Sequence, residues 1–281
     1  MRNSFAQEVT KIASSNPKVV LLSGDIGNKL FDGFKEVDSS RFYNCGVAEA
    51  NMMGVAAGMA MSGFRPVVYT ITPFTTTRCF EQIRVDVCYH EAPVIIVGTG
   101  SGLSYAQLGP THHSLEDMAI LRTLPGMCVT APCDANELRA ILNAALEQDK
   151  PLYIRIGKKG EPDIYDSIPE VTLGKCNVIK EGNDVTLLSA GTVMPEVLEA
   201  AEILRAKGIS AEVASFHTIK PLDEAYLNTA SERFKLIATV EEHGLIGGLG
   251  GAVSEWYART GAKSKFVSLG TPDEFMHVLA R

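Results

Sequence analysis

Three stretches of this chain combine residue types and spacings that suit chemistry. The first is Asn44-Cys-Gly46-Val-Ala-Glu49-Ala-Asn-Met-Met-Gly54-Val-Ala-Ala-Gly58-Met-Ala60, where a short strand (Phe42 to Cys45) delivers a glutamate to the start of a small-residue helix. On spacing alone Glu49 is a favourable anion near a helix N-terminus. Gly54, Gly58 and their alanine neighbours let another backbone approach closely. The second is Leu108-Gly-Pro-Thr-His112-His113-Ser114. Two histidines in a Gly-Pro loop ahead of a helix suit packing as well as acid–base work. A metal site is disfavoured there, since adjacent residues rarely face one ion and no third ligand stands nearby. The third is Thr72-Pro-Phe74-Thr-Thr-Thr77-Arg78-Cys-Phe80-Glu-Gln82-Ile-Arg84, which in its plainest form is a strand-to-helix turn with a half-buried aromatic. A Gly-rich turn, Glu241-Glu-His243-Gly-Leu-Ile-Gly247-Gly248-Leu-Gly250-Gly251, also precedes a helix, but such a run signals phosphate binding only weakly.

Alternating strands and helices must position these residues. Val19–Leu22, Pro66–Ile71, Pro93–Val97, Met127–Thr130 and Leu152–Ile156 are short apolar runs that read as buried strands. Helical stretches lie between them near 49–62, 79–89, 114–122 and 134–146, the last opening on Asp134-Ala-Asn-Glu137 with capping-box spacing. The rhythm breaks at Gly157-Lys-Lys-Gly-Glu-Pro162 and Asp166-Ser-Ile-Pro169, a polar linker, and resumes from Val185. The expected fold is α/β, with two doubly wound domains on mostly parallel sheets. We expect a first domain over 1–157, a linker over 158–171 and a smaller second domain over 172–281.

With 281 residues, 46% hydrophobic and 21% charged, the chain has the composition of a folded globular protein. A net charge of −7 supplies no field for nucleic acid or anionic membrane. No run approaches the ~20 apolar residues of a membrane span, and the N-terminus lacks a secretory signal pattern. The six cysteines, none in a CxxC pair, read as buried thiols of a reducing compartment, and the expected location is the cytoplasm.

Gly46-Val-Ala-Glu49 closely resembles the motif around the catalytic glutamate of the pyrimidine-binding domain in transketolases and deoxyxylulose phosphate synthases. The resemblance covers nearly the whole chain and implies thiamine diphosphate as cofactor, the cofactor supplying the hard chemistry and the protein its orientation. Glu49 would then bond the aminopyrimidine, share its proton and favour the imino tautomer. Gly-Pro-Thr-His places His112 against substrate oxygens, to stabilise or protonate a developing alkoxide. Phe74 and Phe80 match aromatics that stack on the pyrimidine, and Arg78 fits the same cofactor-binding segment. Arg2, Ser23 and Arg155 match positions that hold a sugar phosphate, a task suited to the arginine fork. The Gly-rich turn of the second domain matches a region that is mainly structural and helps form a subunit contact.

The departures are specific. Leu108 stands where transketolases usually carry an aspartate that reads a sugar hydroxyl, and leucine accepts no hydrogen bond. Gly100 replaces a phosphate-binding histidine, and Thr77 replaces a stacking aromatic. The diphosphate-binding domain, with its Gly-Asp-Gly and asparagine ligands for Mg2+, has no counterpart in these residues. The resemblance therefore implies the C-terminal subunit of a split transketolase. Its partner would be an N-terminal subunit carrying the diphosphate and Mg2+ site, two copies of each would assemble, and sugars would be the substrates. Alternatives are a 2-oxoacid-using relative (a synthase or an oxoacid dehydrogenase β subunit) and a non-catalytic scaffold.

Overall fold

The computed structural model describes residues 1–27 and 29–277. Its strands are β1 (Val19–Ser23), β2 (Phe42–Asn44), β3 (Arg65–Ile71), β4 (Ile95–Thr99), β5 (Cys128–Thr130), β6 (Leu152–Ile156), β7 (Asn177–Lys180), β8 (Val185–Ala190), β9 (Ala211–Ser215), β10 (Thr218–Lys220), β11 (Leu236–Gly244) and β12 (Lys265–Thr271). One sheet runs β10-β5-β6-β4-β3-β1-β2 and the other β12-β11-β8-β9-β7. Pairing is parallel except at β10–β5 and β7–β9. Every residue of β1, β3, β4 and β6 is buried, which explains their unbroken apolar runs: helices cover both faces of a parallel sheet.

The α/β expectation with two mostly parallel sheets holds. Several elements depart in detail. The helix Arg2–Ser15 lies outside the expected set, although Phe5, Val9 and Ala13 recur at helical spacing and are buried. Phe5 stacks on Tyr69 of β3 with centroids 5.3 Å apart. The stretch expected as one helix over 79–89 is three short pieces: Thr77–Cys79 with 3-10 geometry, Phe80–Gln82 with α geometry and Ile83–Tyr89 with π geometry. β10 comes from beyond the linker yet completes the first sheet, so the two halves are stitched through an edge strand.

The Asp134 cap is present. Its Oδ1 accepts from the Glu137 amide at 2.7 Å, while the Glu137 carboxylate accepts from the Cys133 amide at 2.7 Å, one residue earlier than in a capping box. Asp134 Oδ2 also accepts from the amides of Ile164 and Tyr165 at 2.8 and 2.9 Å, which ties the polar linker to the first unit. A single buried cluster runs from Leu22 and Met52 through Val129, Ala131 and Ile219 to Leu188, Phe216 and Trp256.

Candidate active site

Parallel sheets gather functional loops beyond the carboxyl ends of their strands, and the residues singled out above follow β1, β2, β3, β4 and β6 there. After β2 the chain turns through Gly46, whose φ of 65° is left-handed, and enters the helix Glu49–Met61. Glu49 is only 2% exposed. A carboxylate buried this deeply needs a partner, and Arg78 supplies it: Nη1 donates to Glu49 Oε2 at 2.9 Å. Gly24, at the end of β1, leaves the room. A Cβ there would lie 2.9 Å from Thr70 Oγ1 and 3.5 Å from Glu49 Cγ.

The same guanidinium lies 4.0 Å from the centroid of the Phe74 ring, a cation–π contact. Phe74 in turn meets the His112 ring edge to face, centroids 5.2 Å apart at 68°. Glu49, Arg78, Phe74 and His112 thus form one continuous chain of contacts, assembled from segments well separated in sequence.

The Thr111 hydroxyl lies 3.1 Å from the Leu108 carbonyl and 3.0 Å from His112 Nδ1. When that hydroxyl donates to Leu108, Nδ1 donates to Thr111 and the neutral ring presents a lone pair at Nε2. Among the described residues Nε2 has no hydrogen-bond partner. His112 is therefore built to take a proton from a hydroxyl or, once charged, to give one to an alkoxide. His113 is not available in that way: it is 7% exposed, and its Nε2 donates to the Ala106 carbonyl at 3.1 Å.

Other expected residues sit differently. Arg155 is 2% exposed, with Nε 3.0 Å from Asp117 and Nη2 bonded to the carbonyls of Ser114 and Glu242 at 3.1 and 2.8 Å. Asp117 also accepts from the Tyr153 hydroxyl at 2.6 Å. Through these bonds the guanidinium clamps β6 to the Glu242 region of the second half. Ser23 is fully buried and donates to the Ile26 carbonyl at 2.6 Å, closing the turn after β1. Phe80 is half-buried against the main core cluster, and among the described residues it makes no ring contact with Phe74. Arg2 stands in the first turn of the helix Arg2–Ser15, with Nε buried and without an acceptor. Leu108 is 53% exposed.

Sequence reasoning passed over Tyr105 and Lys158. Tyr105 also meets the His112 ring, with centroids 5.7 Å apart at 62°, and Lys158 Nζ lies 4.4 Å from the Tyr105 centroid. A tyrosine in a Gly/Ser-rich loop and a lysine in a linker carry no spacing signal. Their only mark is membership of loops that leave the carboxyl ends of β4 and β6.

A planar aminopyrimidine fits this donor set. A buried carboxylate stands beside an aromatic ring, and its Oε1 makes no hydrogen bond among the described residues. The neighbouring Cys79 thiol does not compete: burial, then the Glu49 charge, push it up to about 12. Among the described residues no cluster of metal-ligating side chains occurs, and no helix is long and apolar enough to cross a membrane.

Residues 1–161 match the transketolase pyrimidine-binding domain family, and residues 174–281 match the transketolase C-terminal domain family. The chain is 36% identical over 275 residues to a subunit of the apulose-4-phosphate transketolase of Phocaeicola vulgatus, covering 97% of this chain and 88% of that one. It is 35% identical over 282 residues to a 6-deoxy-6-sulfo-D-fructose transketolase subunit of a Clostridium species, with the same coverages. A 1-deoxy-D-xylulose-5-phosphate synthase of Geobacter sulfurreducens is 35% identical over 277 residues, but those residues span only 43% of its length. Among solved structures, an inactive β4 tetramer of a split-gene transketolase superposes with a TM-score of 0.89 at 36% identity, covering 97% of this chain and 89% of that one. With two consecutive transketolase domains matched and split-transketolase subunits aligned along nearly its full length, this chain belongs to the transketolase family.

Proposed function

We propose that this chain is the C-terminal subunit of a split, thiamine diphosphate-dependent transketolase. It moves a two-carbon ketol unit from a ketose or ketose phosphate to an aldose. Two copies pair with two copies of an N-terminal subunit that holds the diphosphate and Mg2+. The observation that carries this reading is the unbroken contact chain Glu49–Arg78–Phe74–His112. We divide the chain into a pyrimidine-binding domain (1–157), a linker (158–171) and a C-terminal domain (172–281), near the edges of the two family matches. We place the protein in the cytoplasm.

Thiamine diphosphate, when bound, supplies a nucleophilic carbon and an electron sink for the cleaved ketol unit. Glu49 holds a proton at the aminopyrimidine, shielded from water by its burial. Phe74, fixed by Arg78, offers the flat surface against which the pyrimidine is oriented, and Phe80 supports that wall from the core. His112 Nε2 takes the proton of a substrate hydroxyl as the carbon–carbon bond breaks and returns it when the acceptor is joined. Arg2 holds an anionic substituent of the substrate. We assign Ser23 and Arg155 structural roles.

The test is reconstitution. The chain is purified with thiamine diphosphate and Mg2+, the co-purifying chain is identified by mass, and the assembly is assayed with ketose and ketose phosphate donors. Glu49→Ala should lower turnover by about 10^2- to 10^4-fold, the range of a general acid–base group, while the assembly persists. Near-normal turnover in that variant would sink the assignment. A 2-oxoacid donor is the second reading, supported by the 35% identity to a deoxyxylulose phosphate synthase and by Leu108, which reads no sugar hydroxyl. Pyruvate outperforming every ketose would favour it.

A further inference from the structure

Thr70 carries a hydroxyl that the fold alone does not require. It stands near the carboxyl end of β3, fully buried, and its Oγ1 has no hydrogen-bond partner among the described residues. An unpaired buried hydroxyl costs stability. Valine, which β3 uses at positions 67 and 68, would fill the place without that cost. Side chains alternate across a strand, so Thr70 shares the face of Val68. Val68 packs in one buried cluster with Met52 and Met53 of the helix Glu49–Met61. The orphan hydroxyl thus lies on the side of the sheet that this helix covers, at the level of its first turn.

Gly24 brings it into reach of Glu49. The Gly24 amide donates to the Tyr69 carbonyl at 3.1 Å, which seats this glycine beside Thr70 at the end of β1. A Cβ on Gly24 would fall 2.9 Å from Thr70 Oγ1 and 3.5 Å from Glu49 Cγ, so the two side chains border the same small space. The carboxylate is only half served. Arg78 donates to Oε2, while Oε1 makes no hydrogen bond among the described residues. The Arg78 side chain is 43% exposed and stands at the solvent edge of the site. Thr70 is the opposite kind of donor. Its β-branched side chain is stiff at χ1, and its strand is flanked by β1 and β4 inside the sheet. A carboxylate that takes up a proton and returns it keeps its aim best against a donor fixed in advance.

We infer that Thr70 is a positioning residue for Glu49: its hydroxyl donates to the Glu49 carboxylate when the site is filled, and holds that carboxylate in the orientation that meets the aminopyrimidine. This role rests on the transketolase reading for the identity of the group that Glu49 meets. The orphan state of the hydroxyl is testable in the isolated chain, without cofactor or turnover.

Three variants test it: Thr70→Val, Thr70→Ser and, as a control, Thr239→Val, which removes another fully buried and unpartnered hydroxyl from β11 in the second sheet. In the isolated chain Thr70→Val and Thr239→Val should each raise Tm by a few degrees, because each removes an unpaired polar group. In the reconstituted enzyme Thr70→Val should lower kcat by about 10- to 100-fold, the worth of a hydrogen bond to a charged group, while the KM for the ketose stays within about twofold. Thiamine diphosphate with Mg2+ should raise the Tm of that assembly less than it raises the wild type's. Thr70→Ser should recover most of both losses, and Thr239→Val should show neither. In a Glu49→Ala background Thr70→Val should cost nothing further, since the hydroxyl acts through Glu49. A lower Tm for isolated Thr70→Val, an unchanged kcat, or a loss that persists without Glu49 would each overturn the assignment. A wild-type assembly that neither binds thiamine diphosphate nor turns over a ketose removes the transketolase reading itself, whereas a working wild type beside an unimpaired Thr70→Val removes the role of Thr70 alone.

Discussion

Arg78 is the residue on which the cofactor-facing half of the site turns, because one guanidinium both pairs with the buried Glu49 and stacks on Phe74. Lysine keeps the charge but loses the planar face. Arg78→Lys should therefore keep the chain folded while weakening apparent thiamine diphosphate affinity by about tenfold, since the cation–π and fork contacts are each worth roughly 1 kcal/mol or more. A cofactor titration of activity at saturating substrate would read the change, and an unaltered affinity would mean that Phe74 is held by packing alone. The sequence carried Glu49, Phe74, Arg78 and His112 because each sits inside a dense local motif. It did not carry the internal partner of Arg155, because a strand-end arginine looks the same whether it faces solvent or an internal aspartate. Only the tertiary position of Asp117 decides, at 3.0 Å from Arg155 Nε.

Between elements, the Arg155–Asp117 pair joins β6 to the loop and helix that follow His112, and Arg155 reaches on to the Glu242 carbonyl of β11. Removing one member of a buried pair strands the other. Asp117→Asn or Arg155→Met should each destabilise the fold by about 3–5 kcal/mol. The double variant should lose less than the sum of the two, which a double-mutant cycle by denaturant unfolding would show. Additive losses would mean that the pair carries no coupling. The β9–β10 region holds a second buried group. His217 is fully buried, its Nδ1 lies 2.9 Å from Thr218 Oγ1, and its Nε2 has no partner among the described residues. Burial lowers its pKa from 6.5 to about 4. Below about pH 6.5 the unfolded chain takes up this proton while the folded chain does not until about pH 4, so stability falls as pH drops through that window. The loss approaches about 3 kcal/mol at the acid end. His217→Gln should flatten the slope of Tm against pH between 6.5 and 4, and an unchanged slope would assign the acid lability elsewhere. β10 itself was not legible in the sequence. Three residues, Thr218-Ile-Lys220, hold too little periodicity, and their pairing with β5 exists only once the two halves meet.

At the scale of the whole molecule, the alternation of strands and helices was enough to read two α/β units, but not the surface the chain turns outward. The helix that begins at Glu49 buries Met52, Met53, Ala56, Ala57 and Ala60, yet leaves Val55 40% and Met61 59% exposed, and Val47 just ahead of it is 75% exposed. Apolar surface this close to a candidate cofactor site is a candidate contact face for the proposed partner subunit. The small residues noted in the sequence now have a side: a Cβ added at Gly58 would meet nothing within 4 Å in this chain. Gly58→Trp should therefore leave the isolated chain folded, with Tm unchanged or slightly raised as a helix glycine is replaced. It should nevertheless abolish assembly with the diphosphate-binding subunit, because a protruding indole prevents close approach of the partner backbone. Val55→Asp should act in the same direction by burying an unpaired charge. Sedimentation velocity on mixtures of the two subunits separates the outcomes. If both variants assemble as the parent does, the exposed face of the Glu49 helix lies outside the subunit contact.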